Sequence, residues 1–123
     1  MPKKKILIID DDRTFVMLIG RSITQAGYEV ISAFDGVQAL RLAFNENPDL
    51  IILDIRFPAG GGIETLKKLN TSSKTWNIPI IISTSYDDPE VKRKVEEYDI
   101  AGFMLKPVDP EKILLKIQNI IGK

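Results

Sequence analysis

The chain has 123 residues, 44% of them hydrophobic, enough for one domain with one substantial core and too few for two of ordinary size. Its 17 Lys and Arg balance 17 Asp and Glu, so no overall field draws it to nucleic acid or to an anionic membrane surface. Without Cys or His there is no disulfide framework, no thiolate or imidazole metal site, no His-based triad and no internal histidine phosphodonor.

The basic start MPKKK leads into only four apolar residues, 6–9, before Asp10, which is too short for a signal peptide core or a membrane span. A soluble, cytoplasmic protein is the expectation. The run 6–9 reads as a first strand ending in Asp10, Asp11 and Asp12, followed by a helical pattern over 13–26 that Gly27 stops. Asp12 suits the N-cap of that helix better than a ligand role, because its carboxylate can accept from the free first-turn amides. A second strand covers 28–32, and a second helix, 36–46, follows Asp35 as cap. The third strand, 50–53, ends in Asp54 and runs into the loop RFPAGGGI, where Pro58 and three glycines precede a helix over 63–72. The fourth strand, 80–82, ends in Ser83, Thr84 and Ser85, and a helix over 88–98 takes Asp87 or Asp88 as cap. The fifth, 101–105, ends in Lys106-Pro107 and leads to a helix over 109–121 between Asp109 and Gly122. Five strands alternating with five helices imply parallel pairing, right-handed crossovers and a three-layer α/β sandwich.

In such a sheet ligands bind beyond the carboxyl ends of the strands, where this chain places its polar residues. If strands one and three are neighbours, Asp10, Asp11 and Asp54 converge, and like charges so close repel unless a cation intervenes. An all-oxygen donor set selects a hard ion, Mg2+ (or Mn2+). A lysine and a hydroxyl at adjacent strand ends supply what a phosphoryl group needs, a positive charge and a hydrogen-bond donor.

These residues resemble the receiver domain of two-component response regulators, over the whole chain, 1–123, and at the size of single-domain chemotaxis response regulators. The family pattern reads here as Asp10-Asp11, Asp54, Thr84 and Lys106-Pro107, and DIRFP, 54–58, is similar to the family's Asp-x-x-Met-Pro with Phe57 for methionine. Ala59-Gly60-Gly61-Gly62 replaces the frequent Gly-Met-Asp-Gly. The resemblance implies a flavodoxin-like doubly wound fold with a five-stranded parallel sheet in the order 2-1-3-4-5. It implies Asp54 as phosphoacceptor, Lys106 and Thr84 as its partners, and a cis bond between Lys106 and Pro107. For the metal it implies Asp11, Asp54 and the backbone carbonyl of Arg56, with Asp10 holding a metal-bound water, and it makes Thr84 and Phe103 the switch. The implied partners are a sensor histidine kinase or histidine phosphotransfer protein, and a downstream protein reached through the face of helix four, strand five and helix five. Neither nucleic acid nor membrane is expected.

Two other readings compete. ILIIDDDRT also fits the first motif of haloacid-dehalogenase-type phosphohydrolases, with Asp10 as nucleophile, Asp12 as acid/base, Thr84 or Ser83 and then Lys106 following; it leaves Asp54 idle and lacks a later acidic pair. A receiver-shaped scaffold that works without phosphorylation would be expected to lose the acceptor Asp or the Lys, and both are present. In the first helix, helical spacing aims Phe15, Leu18, Ile19, Ser22, Ile23 and Ala26 at the sheet, leaving Met17 opposite and Gly20 to the side as a docking surface for the donor.

Overall fold

The computed structural model describes residues 2–56, 61–85 and 87–123. Elements alternate along the chain: β1 (Lys5–Ile9), α1 (Arg13–Gln25), β2 (Glu29–Ala33), α2 (Gly36–Glu46), β3 (Leu50–Leu53), α3 (Gly61–Thr71), β4 (Ile80–Thr84), α4 (Pro89–Val95), β5 (Gly102–Leu105) and α5 (Pro110–Ile121). All four strand pairings are parallel, and the sheet order is β2-β1-β3-β4-β5, as the resemblance implied. β1, β3 and β4 are central and apolar on both sides. Their alternate side chains feed two cores. Leu7, Ile9, Ile51, Leu53, Ile80 and Ile82 pack with Ala39 and Ala43 of α2, Leu66 and Leu69 of α3, and Val95 of α4. Ile6, Ile8, Ile52 and Ile81 pack with Val16, Ile19 and Ile23 of α1, and Ile113 and Ile117 of α5.

The caps follow the sequence. Asp12, Asp35, Asp88 and Asp109 each accept a first-turn amide, at α1, α2, α4 and α5. Three boundaries differ from expectation by two residues or more, the first at β4, which runs on through Thr84. α4 is regular only to Val95, because Glu97 and Tyr98 bond back to Lys94 and Val95 in tight three-residue steps that close the last turn. α3 begins earlier, so Gly61 and Gly62 form its first turn instead of a loop.

Gly62 has a steric reason to be glycine. A Cβ there would lie 2.0 Å from the carbonyl oxygen of Ile55, a backbone atom that no rotamer change can move. Gly62→Ala should therefore destabilise the fold by about 2 kcal/mol through forced displacement. Equilibrium denaturation checks this, and a midpoint equal to wild type would contradict the contact.

The α1 stripe is rotated relative to the sequence expectation. Val16, Ile19, Gly20 and Ile23 are buried, whereas Leu18 is 55% exposed and Ala26 lies past the helix end. Gly20 sits against the sheet, where an added Cβ would meet Val30 Cγ1 at 3.6 Å and Ile8 Cδ1 at 3.9 Å, so it belongs to no exposed docking face. Met17, at 58% exposure, is on the surface as expected.

Candidate functional site

β1 and β3 are hydrogen-bonded neighbours, and their register, Ile9 opposite Leu53, sets Asp10 beside Asp54 one residue on. The Asp54 amide donates to the Ile9 carbonyl at 2.9 Å and the Asp10 amide to Ala33 at 3.0 Å, so both acids are fixed by sheet backbone just past the strand ends. Asp10 and Asp54 are buried and Asp11 is exposed. Carboxylate oxygens from all three lie within 4.8 Å of one another.

Lys106 reaches this cluster from β5. Its Nζ donates to Asp10 Oδ2 at 2.7 Å and to Asp54 Oδ2 at 3.3 Å, and lies 4.2 Å from the centre of the Phe15 ring. The remaining carboxylate oxygens also have partners: the Asp12 amide donates to Asp10 Oδ1 at 2.9 Å, and the Arg56 amide to Asp54 Oδ1 at 2.8 Å. Burial pushes the Asp10 carboxyl above its ordinary range, while the Lys106 hydrogen bond and charge and the Asp12 amide pull it back. Burial would lower Lys106, but the hydrogen bond and charge of Asp10, together with Asp54, outweigh it and raise the ammonium. The short contact to Asp10 and the second carboxylate behind it favour a cationic Lys106, with Asp10 carrying the desolvation penalty.

Thr84 is buried at the end of β4, and the Lys106 amide donates to its carbonyl at 2.8 Å. It extends the row of Ile80 and Ile82, and half-buried Phe103 packs against that same core, so the two residues share one face of the sheet. The Lys106-Pro107 bond is cis. Phe103 also lines a cavity of about 350 Å³ with Asp87, Asp88, Pro89, Lys92 and Leu105 at the α4–β5 edge.

Three features escaped sequence reasoning. Phe15 underlies the Lys106 ammonium; Arg56 Nη1 donates to Ser85 Oγ at 3.0 Å across the β3 and β4 ends; and Ser83 is buried beside Asp54. Only the pairing register reveals the last two, and no spacing motif encodes them. Phe57, Pro58, Ala59, Gly60 and Tyr86 lie outside the described residues.

The family model for the response regulator receiver domain matches residues 6–118. The chain belongs to that family. This receiver domain is 34% identical over 113 residues to sporulation initiation phosphotransferase F of Bacillus subtilis, covering 92% of this chain and 90% of that one. A CheY-like response regulator receiver domain protein from Methanospirillum hungatei superposes with a TM-score of 0.90 at 28% identity, covering 97% and 94% of the two chains. A response regulator from Burkholderia pseudomallei, solved with a phosphorylated aspartic acid, a calcium ion and citrate, superposes with a TM-score of 0.84 at 25% identity, covering 94% and 67%. The chain spans about half the length of other curated relatives it matches, transcriptional regulators among them. Receiver domains are signalling switches, and the family match sets aside the haloacid-dehalogenase reading with Asp10 as nucleophile. Among the described residues, no helix is long and apolar enough to cross a membrane.

Proposed function

We propose that residues 1–123 form one phosphoacceptor domain, acting in the cytoplasm, in which Asp54 takes a phosphoryl group from a phosphohistidine on a sensor histidine kinase or histidine phosphotransfer protein. The observation that carries this reading is the convergence of Asp10, Asp11, Asp54 and Lys106 at three strand ends. Asp54 Oδ attacks phosphorus in line, the P–O bond forms as the P–N bond to histidine breaks, and the imidazole leaves with the electron pair. Lys106 is within reach of the phosphoryl oxygens and offsets their charge. The Thr84 hydroxyl donates to the transferred group, and Phe103 takes the space this opens, altering the α4–β5–α5 face that a downstream protein reads.

The donor set of carboxylates, in a chain without His or Cys, fits a hard cation. Asp11 and Asp54, with the Arg56 carbonyl, would hold Mg2+ (or Mn2+), and Asp10 would hold a water on it. When bound, that ion would supply positive charge that offsets the charge of the transferring group. Transfer from a 32P-labelled histidine kinase, run with Mg2+ and with EDTA, tests the reading: label is expected with the ion, and label of equal extent in EDTA would contradict it.

Arg56, hydrogen-bonded to Ser85, bridges the two loops beside Asp54 and restricts the path of water to the acyl phosphate. Arg56→Ala should change the decay rate of phosphorylated protein by several-fold, on the order of 1 kcal/mol in the barrier, with less effect on loading. Decay at the wild-type rate would contradict a gating role.

Exposed Met17 and Leu18 on α1 sit one to two turns along the helix from Asp12, and form the surface against which the donor's helices pack. Leu18→Lys should slow transfer from the protein donor about tenfold and leave labelling by acetyl phosphate unchanged. Equal loss with both donors would mean damage to the site itself.

A further inference from the structure

Ser83 is fully buried, yet its hydroxyl has no hydrogen-bond partner among the described residues. A buried hydroxyl left unpaired costs stability, and an alanine in its place would avoid that cost, so its presence asks for a use.

The sheet register shows where that use lies. Ile9 pairs with Leu53 and Leu53 with Ile82, so one residue on, Asp10, Asp54 and Ser83 stand in a row across β1, β3 and β4. Parallel strands in register present such a row to one face, the face of Ile8, Ile52 and Ile81 that packs against α1 and α5. Met104, the partner of Ser83 on β5, belongs to the same core, and Lys106 leaves β5 two residues later from the same side. Its ammonium nevertheless ends on Asp10 and Asp54, on β1 and β3. β4 lies between β5 and those two strands, so the lysine stem spans β4 on the face that carries Ser83.

We infer that Ser83 is a positioning residue whose hydroxyl is a second resting place for the Lys106 ammonium, accepting one of its N–H groups when Asp10 turns from the lysine to a bound cation. An ammonium has three donors and no acceptor, so leaving Asp10 strands one donor in a buried site. The hydroxyl has two lone pairs and stands on the face of the sheet from which Lys106 leaves β5. Ser83 thereby lowers the competition between Lys106 and the cation for Asp10. The inference rests on the phosphoacceptor reading above.

The test uses Mg2+ itself as probe on the unphosphorylated protein, with Ser83→Ala, Ser83→Thr and Ser83→Val. The last two share a shape and differ in the hydroxyl. Calorimetric titration should show Mg2+ binding weakened about tenfold in Ser83→Ala, and in Ser83→Val relative to Ser83→Thr, the effect of one charge-assisted hydrogen bond. Melting in EDTA should leave Ser83→Ala as stable as wild type or more so, which separates lost binding from lost folding. Mg2+ affinity unchanged in Ser83→Ala, or equal in the Thr and Val variants, would overturn the inference. Acetyl phosphate labelling of wild type, run alongside, separates the two levels: label with unchanged affinities overturns the role of Ser83 alone, and no label overturns the phosphoacceptor reading and this inference with it.

Discussion

Asp54→Asn should lose all phosphoryl labelling while keeping the fold. Like Asp10, Asp54 is a buried acid with one oxygen facing Lys106, here at 3.3 Å, and the other held by a backbone amide, that of Arg56 at 2.8 Å, so it is both oriented and flanked by positive charge. An amide of the same shape retains the Arg56 contact through its oxygen but is not a nucleophile toward phosphorus. Stability should hold or rise, since one of three crowded carboxylates is gone. The measurement pairs labelling from acetyl phosphate with a thermal melt. Residual label in a folded Asp54→Asn protein would move the acceptor elsewhere.

Lys106→Met should destabilise the protein by about 3 kcal/mol at neutral pH, because it leaves Asp10, 1% exposed, as a buried charge without its cation. The pH dependence has a definite sign. Burial already raises the Asp10 carboxyl in the wild type, and removing Lys106 raises it further. A raised carboxyl contributes stability present below its unfolded value and lost as pH rises through the folded one, so the variant's deficit is greatest at neutral pH and narrows on acidification. Lys106 is itself raised above 10.5, so its contribution in the wild type holds below that pH and is lost above it. Millimolar Mg2+ should recover more stability in Lys106→Met than in wild type, since the ion meets charge the lysine no longer does. Denaturant titrations across pH, with and without Mg2+, check both points; a deficit independent of pH would contradict the charge account.

The sequence exposed the fold well where chemistry is concentrated. Short apolar runs closed by Asp10, Asp54 and Lys106-Pro107 locate the ends of β1, β3 and β5, whereas β4 runs on through Ser83 and Thr84, polar residues buried in the sheet. Asp12, Asp35 and Asp109 cap the helices they precede because their role is local. The α1 stripe was misplaced for the opposite reason. Phe15, Val16, Met17, Leu18 and Ile19 are consecutive and apolar, so periodicity cannot choose the buried face. The choice was made by Gly20, whose missing side chain lets α1 sit close to Val30 and Ile8. In the site, Asp10, Asp11, Asp54 and Lys106 were legible from their strand ends. Ser83 and the Arg56–Ser85 contact were not, since they depend on the register between β3 and β4.

The most direct measurement is to locate the acyl phosphate itself. Wild-type protein is loaded with acetyl phosphate and Mg2+, reduced with borohydride, which converts an aspartyl phosphate to homoserine, and mapped by peptide mass spectrometry. Homoserine at position 54 alone, and none when EDTA replaces Mg2+, is the predicted result; homoserine at position 10 or 11, or modification of equal extent without the ion, would contradict it.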